Sequence, residues 1–266
     1  MKNINNLFSL EGKNALVTGS TGFLGHSMAF ALAKAGAHIL VNSRSYNRAM
    51  SLVKKLNDAK YSAETFVCDI TNEDQLKNSI KTLVNKPLHI LINNAYSGEG
   101  GTIKTATTQE YRQSYEVTIV AAHNLLRFAF PALCLAKDQS GDASVINISS
   151  MYGLVSPDLR AYDSPIGSNP PFYGASKAAL IQWTRYAACE YGTRGVRVNS
   201  ISPGPFPNNA VKKANPSFVE YLGSRVPLGR VGLAEELQGP IVFLASHASS
   251  YINGTNLVVD GGWTAW

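Results

Sequence analysis

The most reactive pattern in the sequence is a tyrosine and a lysine four residues apart, Tyr173 and Lys177. Side chains at positions i and i+4 of a helix lie on the same face. A free tyrosine, with a pKa of about 10, is a poor base at neutral pH, and a nearby ammonium group lowers that pKa. Tyr173 is therefore a candidate acid–base group for a carbonyl or an alcohol. Taken alone, the pair fits simple surface pairing equally well.

Two serines end a short apolar run upstream of this pair. The run Ser144–Ser149 has the pattern of a strand, so that Ser149 and Ser150 stand at its C-terminal end. One of these hydroxyls is placed to hydrogen-bond a substrate oxygen and orient it toward Tyr173. The other caps the strand end, and the alternative is that both hydroxyls only cap it.

A glycine-rich turn near the N-terminus indicates phosphate binding. The first apolar run, Asn14–Thr18, continues through Gly19, Gly22 and Gly25 directly into a helical pattern. Glycines let the backbone approach a pyrophosphate, and the helix N-terminus presents free N–H groups and a positive dipole end. A tight turn needs glycines even without a ligand, but the preceding strand and following helix favour a dinucleotide.

The residues after the second apolar run bear on the choice of dinucleotide. An acidic residue there would hydrogen-bond the adenosine ribose and favour NAD(H). The sequence reads Asn-Ser-Arg-Ser over 42–45 instead, so that no carboxylate repels a 2′-phosphate and Arg44 can bind one. NADP(H) is the favoured cofactor and NAD(H) the alternative. A solvated arginine at the start of a loop is the other interpretation of Arg44.

Short runs of Val, Ile and Leu alternate with helical patterns along the chain, as in strands buried on both faces of a parallel sheet. We therefore predict an α/β fold, a single Rossmann-type domain over 1–266 with a doubly wound parallel sheet of about seven strands flanked by helices. The predicted strands are Asn14–Thr18, His38–Asn42, Glu64–Asp69, Leu88–Asn93, Ser144–Ser149, Val196–Ser202 and Asn256–Asp260. The predicted helices lie near 23–35, 46–57, 72–84, 108–136, 172–191 and 234–246.

Two proline-rich segments, 154–171 and 203–227, interrupt this alternation. Proline removes backbone donors and blocks helix continuation, so both segments are predicted to be loops. Each follows a predicted strand, where open α/β sheets bind their ligands. They are expected to cover a substrate, and inert surface insertions are the alternative.

The composition excludes several other classes of protein. Apolar residues make up 45% of the 266 positions, which is enough for a large core. No apolar run approaches the roughly 20 residues of a membrane span, and no signal peptide pattern precedes the first strand, so we expect a cytoplasmic protein. The net charge of +6 is spread thinly, which does not indicate nucleic-acid binding. The three cysteines and five histidines are scattered, and no metal site is predicted.

In this order the motifs resemble those of the short-chain dehydrogenase/reductase family over essentially the whole chain. The matching stretches are Thr18–Gly25, Cys68–Ile70, Ile92–Ala95, Ile148–Ser150, Tyr173–Lys177, Ser202–Gly204 and Val258–Gly262. The resemblance implies reversible hydride transfer between NAD(P)(H) and a small carbonyl or secondary alcohol. Tyr173 would be the acid–base group and Ser150, rather than Ser149, would orient the substrate. Lys177 would tune Tyr173 and bind the nicotinamide ribose.

The same resemblance implies contacts along the cofactor. Asp69 would contact adenine, Asn93 would lie beside the adenosine ribose, and Pro203 and Gly204 would border the nicotinamide. The residues expected at the cofactor are Gly19, Thr21, Gly22, Phe23, Leu24, Gly25, Arg44, Asp69, Ile70, Asn93, Ala95, Tyr173, Lys177, Pro203 and Gly204. The residues expected at the reaction are Ser150, Tyr173, Lys177 and Thr118.

The chain departs from the family pattern at several positions. Its glycine turn is spaced GxxGxxG, which is more typical of the extended, often sugar-nucleotide-acting branch. Tyr96 replaces the glycine that usually follows Asn-Asn-Ala, and it is expected to put an aromatic ring near the cofactor or the mouth of the site. Thr118 replaces an asparagine that helps to hold a proton-relaying water, which puts the relay in doubt. The interval from Ser150 to Tyr173 is also longer than is common.

That insertion, Asp158–Pro171, and the tail with Trp263 and Trp266 resemble reductases of bacterial surface-sugar or flagellin-glycan pathways, so a sugar substrate is one hypothesis. Family members are usually dimers or tetramers, which implies a homo-oligomer. Two alternative functions stay open. One is a cofactor-binding regulator without turnover, which the Thr118 substitution supports. The other is a sugar-nucleotide epimerase or dehydratase, which the glycine spacing supports and the short C-terminal portion opposes.

Overall fold

The computed structural model of the chain describes residues 4–83 and 85–266, and within them a parallel sheet of seven strands forms the centre. The strand order is β3-β2-β1-β4-β5-β6-β7. The strands are β1 (Asn14–Val17), β2 (His38–Ser43), β3 (Ala63–Val67), β4 (Ile90–Asn93), β5 (Ala143–Ile148), β6 (Val196–Pro203) and β7 (Asn256–Val259). The predicted Rossmann-type sheet is thus confirmed, with strand ends within two residues of their predicted positions.

Helices cover both faces of this sheet. They are α1 (Ile4–Leu7), α2 (Phe23–Lys34), α3 (Tyr46–Asp58), α4 (Glu73–Lys81), α5 (Thr108–Tyr115), α6 (Ala121–Ser140), α7 (Pro171–Gly192), α8 (Asn209–Ala214), α9 (Pro216–Ser224) and α10 (Gln238–Ala245). One apolar layer lies between the sheet and α2, α3 and α10, and the other lies between the sheet and α4, α6 and α7. That all of this forms a single domain stays a prediction.

Burial follows strand position in the sheet. Every residue of the inner strands β4, β5 and β6 is buried, whereas the edge strands β3 and β7 are partly exposed. Successive residues of β1 pack on opposite faces of the sheet. Ala15 and Val17 contact the layer with α2, α3 and α10, and Leu16 contacts the layer with α4, α6 and α7. Side chains of a strand point alternately to the two faces, so a strand covered on both sides has no polar face. This is why strands such as β1 and β4 appear in the sequence as short apolar runs.

The longest helical stretch corrects one expectation from the sequence. Helices α5 and α6 are joined by a π-helical turn, Glu116–Val120, and together they form a stretch of 33 residues, Thr108–Ser140. By length and composition this stretch would pass as a membrane span, whereas none was expected. Half of its most apolar window is buried, and α6 packs against β5. Core packing therefore accounts for its apolar character.

The proline-rich segments differ in structure. The first, 154–171, is a loop with one short 3-10 turn, Leu159–Ala161, as predicted. The second, 203–227, was predicted to be a loop, and this was wrong, because it contains α8 and α9. Pro216 stands in the first turn of α9, where the missing N–H has no partner to lose, and the side chain of Asn215 caps the helix. Proline starts this helix rather than preventing it.

Arg197 of β6 forms a buried ion pair and also hydrogen-bonds the end of α10. Arg197 of β6 contacts both carboxylate oxygens of Asp142, at 2.9 and 3.0 Å, and also donates to the carbonyl oxygens of Leu244 and Ser246. Both members of the pair are nearly inaccessible to water. Removing one member of a buried pair leaves the other charge without compensation.

We predict that Asp142→Asn lowers the free energy of unfolding by about 3 kcal/mol or more, because the Arg197 guanidinium stays buried beside a neutral amide. Urea unfolding monitored by circular dichroism measures the change. Asp138→Asn is the matched control, since its pair with Lys137 is exposed and is worth less than about 1 kcal/mol. Equal effects of the two substitutions would contradict this role for Asp142.

Candidate active site

A large cleft lies where the order of the strands reverses, at the carboxyl ends of β1 and β4. Its volume is about 970 Å³, at the upper end of the range for small-molecule sites. Fifteen of the residues expected from the sequence line it: Gly19, Thr21, Gly22, Phe23, Leu24, Gly25, Arg44, Asp69, Ile70, Ala95, Ser150, Tyr173, Lys177, Pro203 and Gly204. The structure therefore brings the glycine turn and the Tyr173–Lys177 pair into one cavity.

The glycine turn forms a tight cradle at the start of α2. The Gly22 N–H donates to the Gly19 carbonyl at 3.0 Å, and Gly19 has a φ of +60° that favours glycine. A Cβ on Gly25 would overlap the Gly19 carbonyl oxygen and approach the Asn94 side-chain amide. No side chain caps the helix at Gly22, so the first N–H groups of α2 face the cleft without a side-chain partner. Such a helix terminus favours an anion.

Thr18 and Asn94 join this cradle to the loop after β4. The Thr18 hydroxyl donates to the Ile92 carbonyl and accepts from the N–H groups of Asn94 and Ala95. The Asn94 side chain returns a hydrogen bond to the Thr18 carbonyl at 2.9 Å. Asn94 also lines the cleft, and sequence reasoning did not single it out.

Two arginines stand at the far end of the cleft. Arg44 follows β2. Arg48 is in the first turn of α3, where its backbone N–H donates a hydrogen bond to the capping hydroxyl of Ser45. Both guanidinium groups are exposed and line the cleft. Arg48 was missed in the sequence, although its spacing of four residues from Arg44 at a helix start was a usable signal.

The reactive groups meet at the other end. Lys177 Nζ donates to the Ile148 carbonyl at 2.7 Å, which fixes the side chain against the end of β5. Ser149 donates its hydroxyl to the backbone carbonyl of Lys177 at 2.8 Å, so Ser149 holds α7 in place. The Ser150 hydroxyl accepts a hydrogen bond from the Tyr152 N–H at 3.1 Å and lines the cleft with Tyr173, so its own proton is available to another acceptor. The two serines thus have different contacts, Ser149 with the backbone of α7 and Ser150 with the Tyr152 N–H.

Burial sets the electrostatics of this end. Burial raises the pKa of the Tyr173 phenol, and hydrogen bonding from Ser150 lowers it. Burial lowers the pKa of Lys177 to about 8, because a charged ammonium loses its hydration. Its Nζ lies 5.7 Å from the centre of the Tyr173 ring. The lysine is therefore still largely charged at neutral pH and lies next to the tyrosine.

Thr118 and Asn93 are not among the residues that line the cleft, and both lie beneath it. Asn93 turns its side chain inward and donates to Asn147 Oδ1 at 2.7 Å. Thr118 is buried in the π-helical turn. Both border a second cavity of about 10 Å³, together with Lys177. Asn93 Oδ1 and Thr118 Oγ1 have no hydrogen-bond partner among the described residues.

Aromatic side chains from the insertion and the tail gather beside Ser150. The Tyr152 ring lies 6.5 Å from that of Trp263, edge to face, and its hydroxyl is 3.4 Å from that of Tyr162. Burial raises the pKa of Tyr152 far above its usual value, so this phenol stays neutral. Helix α9 joins the insertion through Tyr221, whose hydroxyl donates to Asp158 at 3.0 Å.

Comparisons with known proteins agree with this geometry. A family model described as enoyl-(acyl carrier protein) reductase matches residues 21–264. Gluconate 5-dehydrogenase of Gluconobacter oxydans is 32% identical over 97% of both chains. A tropinone reductase homolog of Arabidopsis thaliana is 35% identical over 97% of this chain and 94% of its own. A crystal structure of a gluconate 5-dehydrogenase from Burkholderia cenocepacia, in complex with NADP and tartrate, superposes with a TM-score of 0.86 at 28% identity, covering 99% and 100% of the two chains.

The glycine cradle generates a direct test. We predict that Gly25→Ala weakens NADPH binding by about tenfold or more, because the added methyl group must displace the Gly19 carbonyl or Asn94. Fluorescence titration with NADPH measures the affinity. Gly239→Ala in α10 is the control, since nothing lies within 4 Å of its Cβ position. Unchanged affinity in Gly25→Ala would show that this turn does not hold the dinucleotide.

Proposed function

The chain belongs to the short-chain dehydrogenase/reductase family, and on that basis we propose that it transfers a hydride between NADP(H) and a polyhydroxylated carbonyl or secondary alcohol. One observation carries the proposal. A single cleft holds an anion-binding helix terminus and two arginines at one end, and Ser150, Tyr173 and Lys177 at the other. The relatives reported above are dehydrogenases and reductases, which favours hydride transfer over the regulator and epimerase alternatives.

The residues present fit a dinucleotide with a 2′-phosphate. Gly25 lets the start of α2 pack closely against the Gly19 carbonyl, and the first turn of α2 supplies free N–H donors for a phosphate. Arg44 and Arg48 supply two cations beside the region of the adenosine ribose. When bound, the nicotinamide supplies or accepts the hydride. The solved Burkholderia relative contains NADP, which supports NADP(H) over NAD(H).

In the reductive direction, Tyr173 gives its phenolic proton to the carbonyl oxygen as that oxygen gains negative charge. Ser150 donates a hydrogen bond to the same oxygen and so orients the substrate. The Lys177 ammonium favours the phenolate that remains on Tyr173, since an opposite charge nearby lowers the pKa of a phenol. In the oxidative direction the phenolate takes the proton from the alcohol.

Thr118 is proposed to take part in returning protons to this site. The small cavity that it borders with Asn93 and Lys177 is about the size of one water molecule. Thr118 Oγ1 and Asn93 Oδ1 are buried oxygens without a hydrogen-bond partner among the described residues, and a water molecule would supply one. A water held there would connect Lys177 with the threonine, which supports a relay without the family's asparagine.

The substrate class is proposed from two kinds of support. Gluconate 5-dehydrogenases are among the relatives, and the Burkholderia structure contains tartrate, a hydroxylated acid. Tyr152, Tyr162 and Trp263 lie outside the residues that line the cleft, and their rings and hydroxyls are of the kinds that suit the C–H and O–H groups of a sugar. A sugar acid or a related keto-sugar is therefore the proposed substrate. A bacterial surface-sugar pathway is one in which such a reductase would act.

The proposal includes a cytoplasmic homo-oligomer that binds neither nucleic acid nor a membrane. Apolar side chains such as Ile103 and Ile166 are exposed, which supports subunit contacts. The thin spread of basic residues supports the absence of a nucleic-acid partner.

We predict that Tyr173→Phe lowers kcat by about 100- to 10,000-fold, because the proton donor is lost while the ring stays in place. Absorbance at 340 nm with NADPH, over a panel of keto-sugars and sugar acids, measures turnover. NADPH affinity is expected to stay within about threefold. Tyr186→Phe is the matched control, since it is exposed on the same helix. Turnover that survives Tyr173→Phe would exclude Tyr173 as the acid.

A second prediction concerns the choice of cofactor. Arg44→Ala and Arg48→Ala should each weaken NADPH binding by about tenfold or more and leave NADH binding nearly unchanged, because only NADPH carries the 2′-phosphate. Fluorescence titration with both nucleotides gives the two affinities. Arg185→Ala, a surface change on α7, should affect neither nucleotide. Equal losses for NADPH and NADH would remove the case for a 2′-phosphate site.

A further inference from the structure

Lys177 carries a buried charge that no carboxylate neutralises. Its ammonium makes one hydrogen bond, to the Ile148 carbonyl, and no ion pair within the described part of the chain. The acidic side chains that line the cleft, Asp69 and Glu116, do not pair with it. A buried ammonium without compensation tends to lose its proton. The stability of the charged form therefore depends on the groups that surround the ammonium.

Two aromatic rings face this ammonium. Lys177 Nζ lies 5.4 Å from the centre of the Tyr96 ring and 5.7 Å from that of Tyr173, both within the range of a cation–π interaction. The Tyr96 and Tyr173 rings also meet edge to face, with centres 4.8 Å apart and planes at 78°. Tyr96 thus contacts both members of the reactive pair, at the position where the family usually has glycine.

The ring of Tyr96, rather than its hydroxyl, makes these contacts. The hydroxyl oxygen is buried without a hydrogen-bond partner among the described residues, and it packs against Gly98. Burial raises the pKa of Tyr96 to about 12, so the phenol stays neutral over the range in which Lys177 titrates. Tyr96 therefore neither donates a proton to the site nor adds a negative charge.

We propose that Tyr96 is a positioning residue, whose ring takes the place of a counter-ion for the buried Lys177 ammonium and holds the edge of the Tyr173 ring. The role assigned to this charge rests on the proposed function. The titratable groups that face Lys177 are Tyr173 from α7 and Tyr96 from the loop after β4. The end of β5 presents the Ile148 carbonyl, and the π-helical turn presents Thr118.

The proposal predicts different effects of two substitutions at Tyr96 on the charge of Lys177. Tyr96→Phe keeps the ring and removes only the unpartnered hydroxyl, so the charge on Lys177 should be unaffected. Tyr96→Leu keeps the site apolar but removes the negative face of the ring, so the ammonium should lose its proton more easily. Leucine is chosen over glycine because glycine would admit water, which would stabilise the ammonium and mask the effect.

The first measurement does not depend on activity. Lysine labelled with ¹³C at Cε reports the pKa of Lys177 by NMR titration, and Lys177→Arg assigns its signal. We expect the Lys177 pKa in Tyr96→Leu to lie about one pH unit below that of the wild type, and in Tyr96→Phe to match the wild type within about 0.3. Thermal unfolding checks that each variant folds, and Tyr96→Met replaces leucine if it does not.

The second measurement is the pH profile of kcat for alcohol oxidation. A less stable ammonium favours the Tyr173 phenolate less, so the rise of kcat with pH should move to higher pH in Tyr96→Leu and stay in place in Tyr96→Phe. An unchanged Lys177 pKa in Tyr96→Leu would overturn the proposal, as would an equal fall in both variants. Absence of turnover in the wild type would overturn the proposed function instead, and the NMR titration would still decide the role of Tyr96.

Discussion

The charge on Lys177 is the constraint on which the rest of the site depends. Burial lowers its pKa from 10.5 to about 8, which corresponds to about 3 kcal/mol of disfavoured charge. A lysine in that position is kept for its chemistry and not for stability, because an apolar side chain would fill the same space without this cost. What retains the proton is a single carbonyl, that of Ile148, and the faces of Tyr96 and Tyr173.

The parallel sheet holds these groups together. Its strands all end at the same edge, so residues that follow β1, β4, β5 and β6 meet in one cleft although they are far apart in the sequence. Helix α7 begins with Pro171 and is held against β5 by the Ser149 hydroxyl and the Lys177 ammonium. The lysine that supplies the charge therefore also fixes the helix that carries Tyr173.

Local patterns in the sequence predicted much of this arrangement. Short apolar runs predicted the seven strands, of which the inner ones are buried on both faces. The spacing of Tyr173 and Lys177 predicted that the two side chains share a helix face. Contacts between distant segments could not be predicted in this way. The inward turn of Asn93 depends on Asn147 of the next strand, and the edge-to-face contact of Tyr96 with Tyr173 depends on how a loop meets α7. Helices α8 and α9 were missed because proline was taken only as a helix breaker.

The buried charge itself can be measured in the wild-type protein. An NMR titration of ¹³Cε-labelled lysine, with the signal of Lys177 assigned, gives the pKa of this side chain directly. We expect a midpoint near 8, with the side chain still largely protonated at neutral pH, because burial opposes the charge and the two rings retain it. A midpoint at the value of free lysine, about 10.4, would contradict this, since it would show that the ammonium remains hydrated.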